Sequence, residues 1–116
     1  MHEIGLAAKI IQIVKDEIEK RDIKILKLKS VKIKLGKFVQ VVPDSLKFGL
    51  EALGRGDGFG GVDFIINEMP FIVKCPDCER EEEIEEMVLK CAGCGSVNLK
   101  VVGGREFYVE SIEVDD

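Results

Sequence analysis

Four cysteines stand in two pairs, CPDC (Cys75 and Cys78) and CAGC (Cys91 and Cys94), with twelve residues between the pairs. In a Cys-x-x-Cys turn both sulfurs face one concavity, and two such turns opposed at the ends of a hairpin make a tetrahedral sulfur cage. Zinc suits this cage because it is borderline-soft and has no d-electron geometry preference; iron in a rubredoxin-like cage, disulfides and free thiols are the competing readings. A closed four-thiolate site has no open position for substrate water, so zinc held there is structural. A segment of about 25 residues has too little apolar material for a core, and metal binding of ~10 kcal/mol or more in comparable peptides replaces it.

A second chemistry is available at the start, MHEIGLA. His2 is the only histidine in 116 residues. Position alone makes it an exposed side chain near a chain end. Three features point elsewhere: a helix begins at once and holds the terminus close to structure, a neighbour as bulky as His2 is expected to leave Met1 and its amine untrimmed, and Glu3 follows. An α-amine, an imidazole and the intervening backbone nitrogens wrap one metal ion in a nearly planar nitrogen set, which points to Ni(II) or Cu(II) and not to zinc. The amine and imidazole, with ordinary pKa values of about 8 and about 6.5, must both lose protons, so affinity weakens in acid. Glu3 contributes its backbone nitrogen, a contact behind the metal, or recognition of a partner.

The elements that must position these groups follow from periodicity. Ile4, Ala7, Ile11, Val14 and Ile18 recur at three and four residues, which predicts an amphipathic helix with one buried face. ILKLKSVKIKLGKF alternates apolar residues with lysine, but Leu26 and Leu28 fall on one parity and Val31, Ile33 and Leu35 on the other. The parity change near Lys29–Ser30 predicts a bulge or break in a strand that ends at Gly36, with Phe38 and Val41 resuming apolar contacts. PDSLKFGLEALGRG predicts a second helix, started by Pro43 and Asp44 and carrying Leu46, Leu50 and Leu53 at helical spacing. The glycine-rich GRGDGFGG lacks the Gly-Lys-Ser/Thr ending of a nucleotide loop and reads as a plain connection. VDFIINEMP predicts a strand stopped by Pro70, and REFYVESIEV a strand returning to the main sheet, so the cysteine segment is an insertion at one end. EREEEIEE between the cysteine pairs reads as a solvated hairpin with Ile84 turned inward, an acidic docking surface being the alternative.

Hydrophobic residues at 46% support a real core, while aromatics at 6% supply few base-stacking platforms. Charge is divided: residues 1–50 hold 11 Lys/Arg against 6 Asp/Glu, and residues 51–116 hold 6 against 16. An acidic whole argues against unspecific nucleic-acid binding, which draws its affinity from cations on phosphates. No basic leader followed by an apolar stretch is present, and no apolar run approaches the roughly 18–20 residues that cross a bilayer; a cytoplasmic protein without membrane attachment is expected. In a reducing compartment, paired cysteines read as metal ligands before disulfides.

Taken together, MHEIGLA, VKIKLGKFVQVVPDSLKFGLEAL, the two Cys-x-x-Cys pairs with CGS after the second, and GGREFYVESIEV resemble the HypA family of hydrogenase nickel-insertion accessory proteins over nearly the whole chain. The resemblance implies an α+β fold in which a small sheet with two helices, residues 1–68 and 104–116, forms a nickel-binding domain, and residues 69–103 form an inserted zinc-ribbon-like module. It implies transient Ni(II) at Met1, His2 and Glu3 and structural Zn(II) at Cys75, Cys78, Cys91 and Cys94. The implied partners are a HypB-like GTPase and a hydrogenase large-subunit precursor, for a monomer or weak homodimer. Three positions depart from the family: Gly5 replaces the usual Ser or Ala, CPDCER lacks the glycine often found after the first pair, and no histidine flanks the cysteines to join either metal sphere.

The expected function is therefore a nickel carrier rather than an enzyme. Its chief rival is a zinc-ribbon module for protein interaction or nucleic-acid binding, with no nickel function; the acidic module weighs against nucleic acid. An iron redox carrier is a further alternative. The lysines Lys27, Lys29, Lys32 and Lys34 read as the solvated face of a half-buried strand, or as a docking stripe.

Overall fold

The structure is a computed structural model that describes residues 3–86 and 90–115. Helix α1 spans Glu3–Lys20, strand β1 Leu28–Gly36, helix α2 Pro43–Gly56, β2 Asp63–Met69, β3 Ile72–Lys74, β4 Glu81–Glu83, β5 Lys100–Gly103 and β6 Phe107–Val114. Among these described residues no helix is long and apolar enough to cross a membrane.

Helix α1 begins with an acidic residue and ends with a basic one, each facing the favourable end of the helix dipole. Asp22 in the left-handed region (φ 54°) turns the chain out of the helix, and the Ile23 N–H donates to the Ile18 carbonyl. The buried face is Leu6, Ala7, Ile10, Ile11, Val14 and Ile18. The expected inward Ile4 is instead 52% exposed, while Leu6 and Ile10 lie inside. The reason is that α1 meets α2 on one flank and the sheet beneath, so its apolar stripe is wider than a single row and is centred one residue away. Helix α2 starts as its Pro43 requires, and it buries Leu46, Gly49, Leu50 and Gly54. The connection after it is less plain than its glycines suggest, since Phe59 is 2% exposed and its N–H donates to the Gly54 carbonyl.

The first sheet has the order β2-β1-β6, with β2 parallel to β1 and β6 antiparallel to it. Val31, Ile33 and Leu35 of the central strand are buried on one face, beside Phe64 and Ile66 of β2 and Val109 and Ile112 of β6. Each such side chain contributes roughly 1.5–3 kcal/mol on leaving water. The expected irregularity is present: the β1–β6 register shifts between Leu28 and Ser30 and again between Lys32 and Ile33. A tight 3-10 turn over Ile25–Lys27 replaces the beginning of the expected strand and leaves Leu26 91% exposed. Lys27, Lys29 and Lys32 face solvent, and Lys34 reaches Glu110 at 3.2 Å.

A second sheet, order β4-β3-β5 and antiparallel throughout, carries the cysteines. Among the described residues its core is Phe71, Val73 and Ile84, extended by Phe38, Leu99 and Val101. Ile84 points inward while the glutamates of β4 stay at the surface, as expected for a solvated hairpin. The chain is elongated, 54 × 26 × 17 Å, with a radius of gyration of 17.7 Å against about 13 Å for one compact body of this length. Among the described residues the buried apolar side chains accordingly form two cores, not one.

Gly36 and Gly104 cross where the chain returns from the second sheet to the first. A Cβ on Gly36 would overlap the Gly104 carbonyl and stand 2.8 Å from the Arg105 amide nitrogen. The Phe38 N–H donates to the Gly104 carbonyl at 2.9 Å, and the Gly36 N–H donates to Glu106 at 2.6 Å. Gly104 itself has φ 107°, which a side chain would not tolerate. Beside this crossing Phe38 meets Phe71 edge to face, ring centroids 5.0 Å apart, and the Arg105 guanidinium lies 4.7 Å from the Phe38 ring.

Candidate metal centre

Each cysteine pair sits in the same tight turn. In the first, the Cys75 N–H donates to the Arg80 carbonyl and the Glu79 N–H to the Cys75 carbonyl; in the second, Cys91 donates to Ser96 and Gly95 to Cys91. The two turns are thus repeats offset by sixteen residues, and they face each other. The four sulfurs all lie within 4.8 Å of one another, with Cys75 to Cys94 at 3.5 Å and Cys78 to Cys91 at 3.6 Å. A tetrahedron of metal–sulfur bonds of about 2.3 Å has edges of about 3.8 Å, so this cage fits a tetrahedral thiophilic ion. Cys75 and Cys91, the first of each pair, are buried, and Cys78 and Cys94 are exposed.

Backbone amides aimed at the sulfurs decide how readily each ionises. The Cys94 N–H, then the Gly93 N–H, donates to the Cys91 sulfur and brings its pKa down to about 7. At Cys75, burial opposes ionisation, but the N–H groups of Cys78 and Asp77 outweigh it and the pKa falls below the ordinary thiol value. At Cys78 the Arg80 N–H favours the thiolate, yet the adjacent Cys91 thiol prevails and the pKa rises. Cys94 receives the Ser96 N–H but is pushed up to about 12, chiefly by the adjacent Cys75. Four thiols this close do not all ionise unaided; a divalent cation removes the conflict. The donor set therefore fits zinc or iron, both of which take four sulfurs tetrahedrally.

The structure also joins residues that spacing did not single out. Ser96 Oγ donates to Asp77 Oδ2 across the two turns, and accepts from the Asn98 N–H at 3.2 Å. Aligning the turns at their sixteen-residue offset would have drawn attention to these positions. At the other end of the chain, Glu3 is the first residue of α1, and its carbonyl lies 3.8 Å from the place a Cβ on Gly49 would take. Ile4 Cδ1 and Ala7 Cβ crowd the same place at 3.2 and 3.3 Å, so the first turn of α1 rests directly on α2. Met1 and His2 lie outside the described residues.

A family model described as hydrogenase/urease nickel incorporation, metallochaperone, hypA matches residues 1–114. The chain belongs to the HypA family. Among its relatives, the hydrogenase maturation factor HypA of Desulfatibacillum aliphaticivorans is 37% identical over 116 residues, spanning all of this chain and 88% of that one. HypA 2 of Bradyrhizobium diazoefficiens is 35% identical over 115 residues, spanning 99% of this chain and 100% of that one. The solution structure of the Ni metallochaperone HypA from Helicobacter pylori shares the fold, with a TM-score of 0.65 at 18% identity over 98% of this chain and 97% of that one. A further HypA solution structure gives a TM-score of 0.69 at 19% identity, covering 98% of this chain and 96% of that one. HypA proteins are maturation factors, and the resemblance read from MHEIGLA and the cysteine pairs is borne out at the level of family and fold.

Proposed function

We propose that this HypA-family protein carries Ni(II) to a [NiFe]-hydrogenase, binding it through the Met1 amine, the His2 imidazole and backbone nitrogens up to Glu3, while Cys75, Cys78, Cys91 and Cys94 hold a structural Zn(II). The observation that carries this reading is the family match over residues 1–114, which takes in both the Met-His-Glu start and the four cysteines. The placement of Glu3 supports it: the first turn of α1 is seated on α2, so the proposed nitrogen donor at Glu3 is already held in place and loses little entropy on binding an ion. Residues 1–68 with 104–116 serve as the nickel-binding part and 69–103 as the zinc-bearing part.

In this reading the protein is a carrier and the ion is its cargo. Ni(II) is received from, or shared with, a HypB-like GTPase and passes to a large-subunit precursor whose thiolates bind it more tightly, so transfer runs downhill from nitrogen to softer sulfur. Zinc at the closed cage supplies folding energy and keeps a docking surface in shape. The deciding experiment is Ni(II) titration of tag-free protein beside His2→Ala and a form extended at the N-terminus. Stoichiometric binding by the first alone is expected. Equal binding by all three removes the terminal site and leaves a zinc-only interaction module.

A further inference from the structure

The two cysteine turns repeat the same backbone hydrogen bonds sixteen residues apart, so that Cys75–Arg80 corresponds position by position to Cys91–Ser96. Asp77 corresponds to Gly93, and Arg80 to Ser96. On one side of the cage the contact between these positions is the Ser96–Asp77 hydrogen bond. On the other, Arg80 lies over Gly93: its Cδ and Nη1 stand 3.2 and 3.5 Å from the place of a Gly93 Cβ, and Cys91 Sγ stands 3.7 Å from the same point. Where the first side has a carboxylate, the second has only glycine. The stem of Arg80 occupies the space a side chain at 93 would fill, and Arg80 Nη1 and the Cys91 sulfur border that same space.

The charge around this arginine is heavily negative. Four thiolates on a divalent ion leave a net charge of about −2, and the same turn and hairpin add Glu79, Glu81, Glu82, Glu83, Glu85 and Glu86. Arg80 Nε approaches Glu82 Oε2 at 3.9 Å, too far for a hydrogen bond, so that pair does not saturate the guanidinium. We propose that Arg80 is a positioning residue of the metal centre, reaching from one cysteine turn across Gly93 of the other to set a fixed positive charge beside the Cys91 thiolate and retain the metal. Neighbours behind the ligands commonly change metal affinity ten-fold or more. A guanidinium, always charged and planar, fits this place better than a shorter neutral side chain.

The inference rests on the zinc reading, and the test separates the two. Wild type, Arg80→Gln and Arg80→Lys are purified, their zinc content is measured by elemental analysis, and zinc transfer to an excess chromogenic chelator is followed at low and at high salt. At low salt Arg80→Gln is expected to lose zinc roughly ten-fold faster than wild type, with Arg80→Lys within about two-fold of wild type and the difference shrinking at high salt. Iodoacetamide alkylation of zinc-loaded Cys91 should accelerate in parallel in Arg80→Gln. Equal transfer rates in all three overturn the role of Arg80 and leave zinc in place. So does a loss that is the same in Gln and Lys and indifferent to salt, since packing on Gly93 then explains it. A wild type without zinc overturns the zinc reading and this inference together.

Discussion

Glu79 and Gly95 hold the same place in the two cysteine turns, each four residues after the first cysteine of its pair, and both have left-handed backbone, φ 61° and 76°. Glycine takes that conformation freely, whereas a residue with a Cβ pays about 1–2 kcal/mol. The two turns are therefore equal in hydrogen bonding and unequal in strain.

Relieving the strain should stabilise the cysteine-bearing sheet. Glu79→Gly is expected to gain about 0.5–1 kcal/mol after the extra freedom of unfolded glycine is subtracted. Gly95→Ala is expected to lose about 1 kcal/mol through conformation alone, because no atom lies within 4 Å of its Cβ position. Denaturant unfolding of the metal-loaded protein, monitored by amide exchange in β3 and β5, checks both signs.

Gly36→Ala should be far costlier. Its Cβ has no room against the Gly104 carbonyl, and both neighbours are backbone that cannot rotate away. A loss of about 3 kcal/mol or more is expected, read as a fall in the urea midpoint. Gly56→Ala, where the Cβ meets open space, provides the near-neutral control. Similar midpoints for the two variants contradict the crossing described for residues 36 and 104.

Removing one ligand should unfold one core and spare the other. Cys91→Ala, or chelation of the wild type, is expected to abolish protection of amides around Phe71, Val73 and Ile84, whose cluster is too small to stand without the cage. The α1 amides, backed by the larger core, should keep theirs. Full metal content with wild-type stability in Cys91→Ala sinks the assignment.

Metal binding at the cage should weaken in acid with a change of slope. Binding requires thiolates, so every protonated thiol gives up its proton on loading. Above pH about 7 Cys91 is largely ionised and gives up no proton on loading; below it Cys91 is protonated and gives up one more. The fall in log affinity per pH unit therefore steepens by about one on going down through pH 7. Competition with a chelator of known proton affinity measures it, and an unbending slope removes Cys91 from that part.

Much of this architecture is legible in residue types. The parity change at Lys29–Ser30 is the register shift opposite β6, and the inward Ile84 among glutamates is the buried residue of the hairpin. The missing glycine in CPDCER is visible as Glu79 with a positive φ. What resisted reading depends on partners far along the chain. Ile4 fits a helical period, yet it lies half exposed at the rim of the α1–α2 contact, with only its Cδ1 end against Gly49. Phe59 sits in a run with five glycines and is buried because it packs into the core beside Gly54 of α2. Ser30 is buried beside the register shift, its Oγ 3.5 Å from Glu113 Oε1 on the neighbouring strand. The Asp77–Ser96 bond joins residues nineteen apart, and it becomes visible only when the two turns are set face to face around the cage.

The second sheet leaves the first by two routes, one after β2 and one before β6, and these flank β1: Met69 pairs with Gly36 and Phe107 with Leu35. The two exits are thus about two strand spacings, or roughly 10 Å, apart. Two spaced connections, with Phe38 packed on Phe71 between them, oppose rotation of the second sheet about the long axis more than bending across the line that joins them. The cysteine end and the start of α1 consequently keep a common handedness toward any partner that grips both, and such a partner works chiefly against bending.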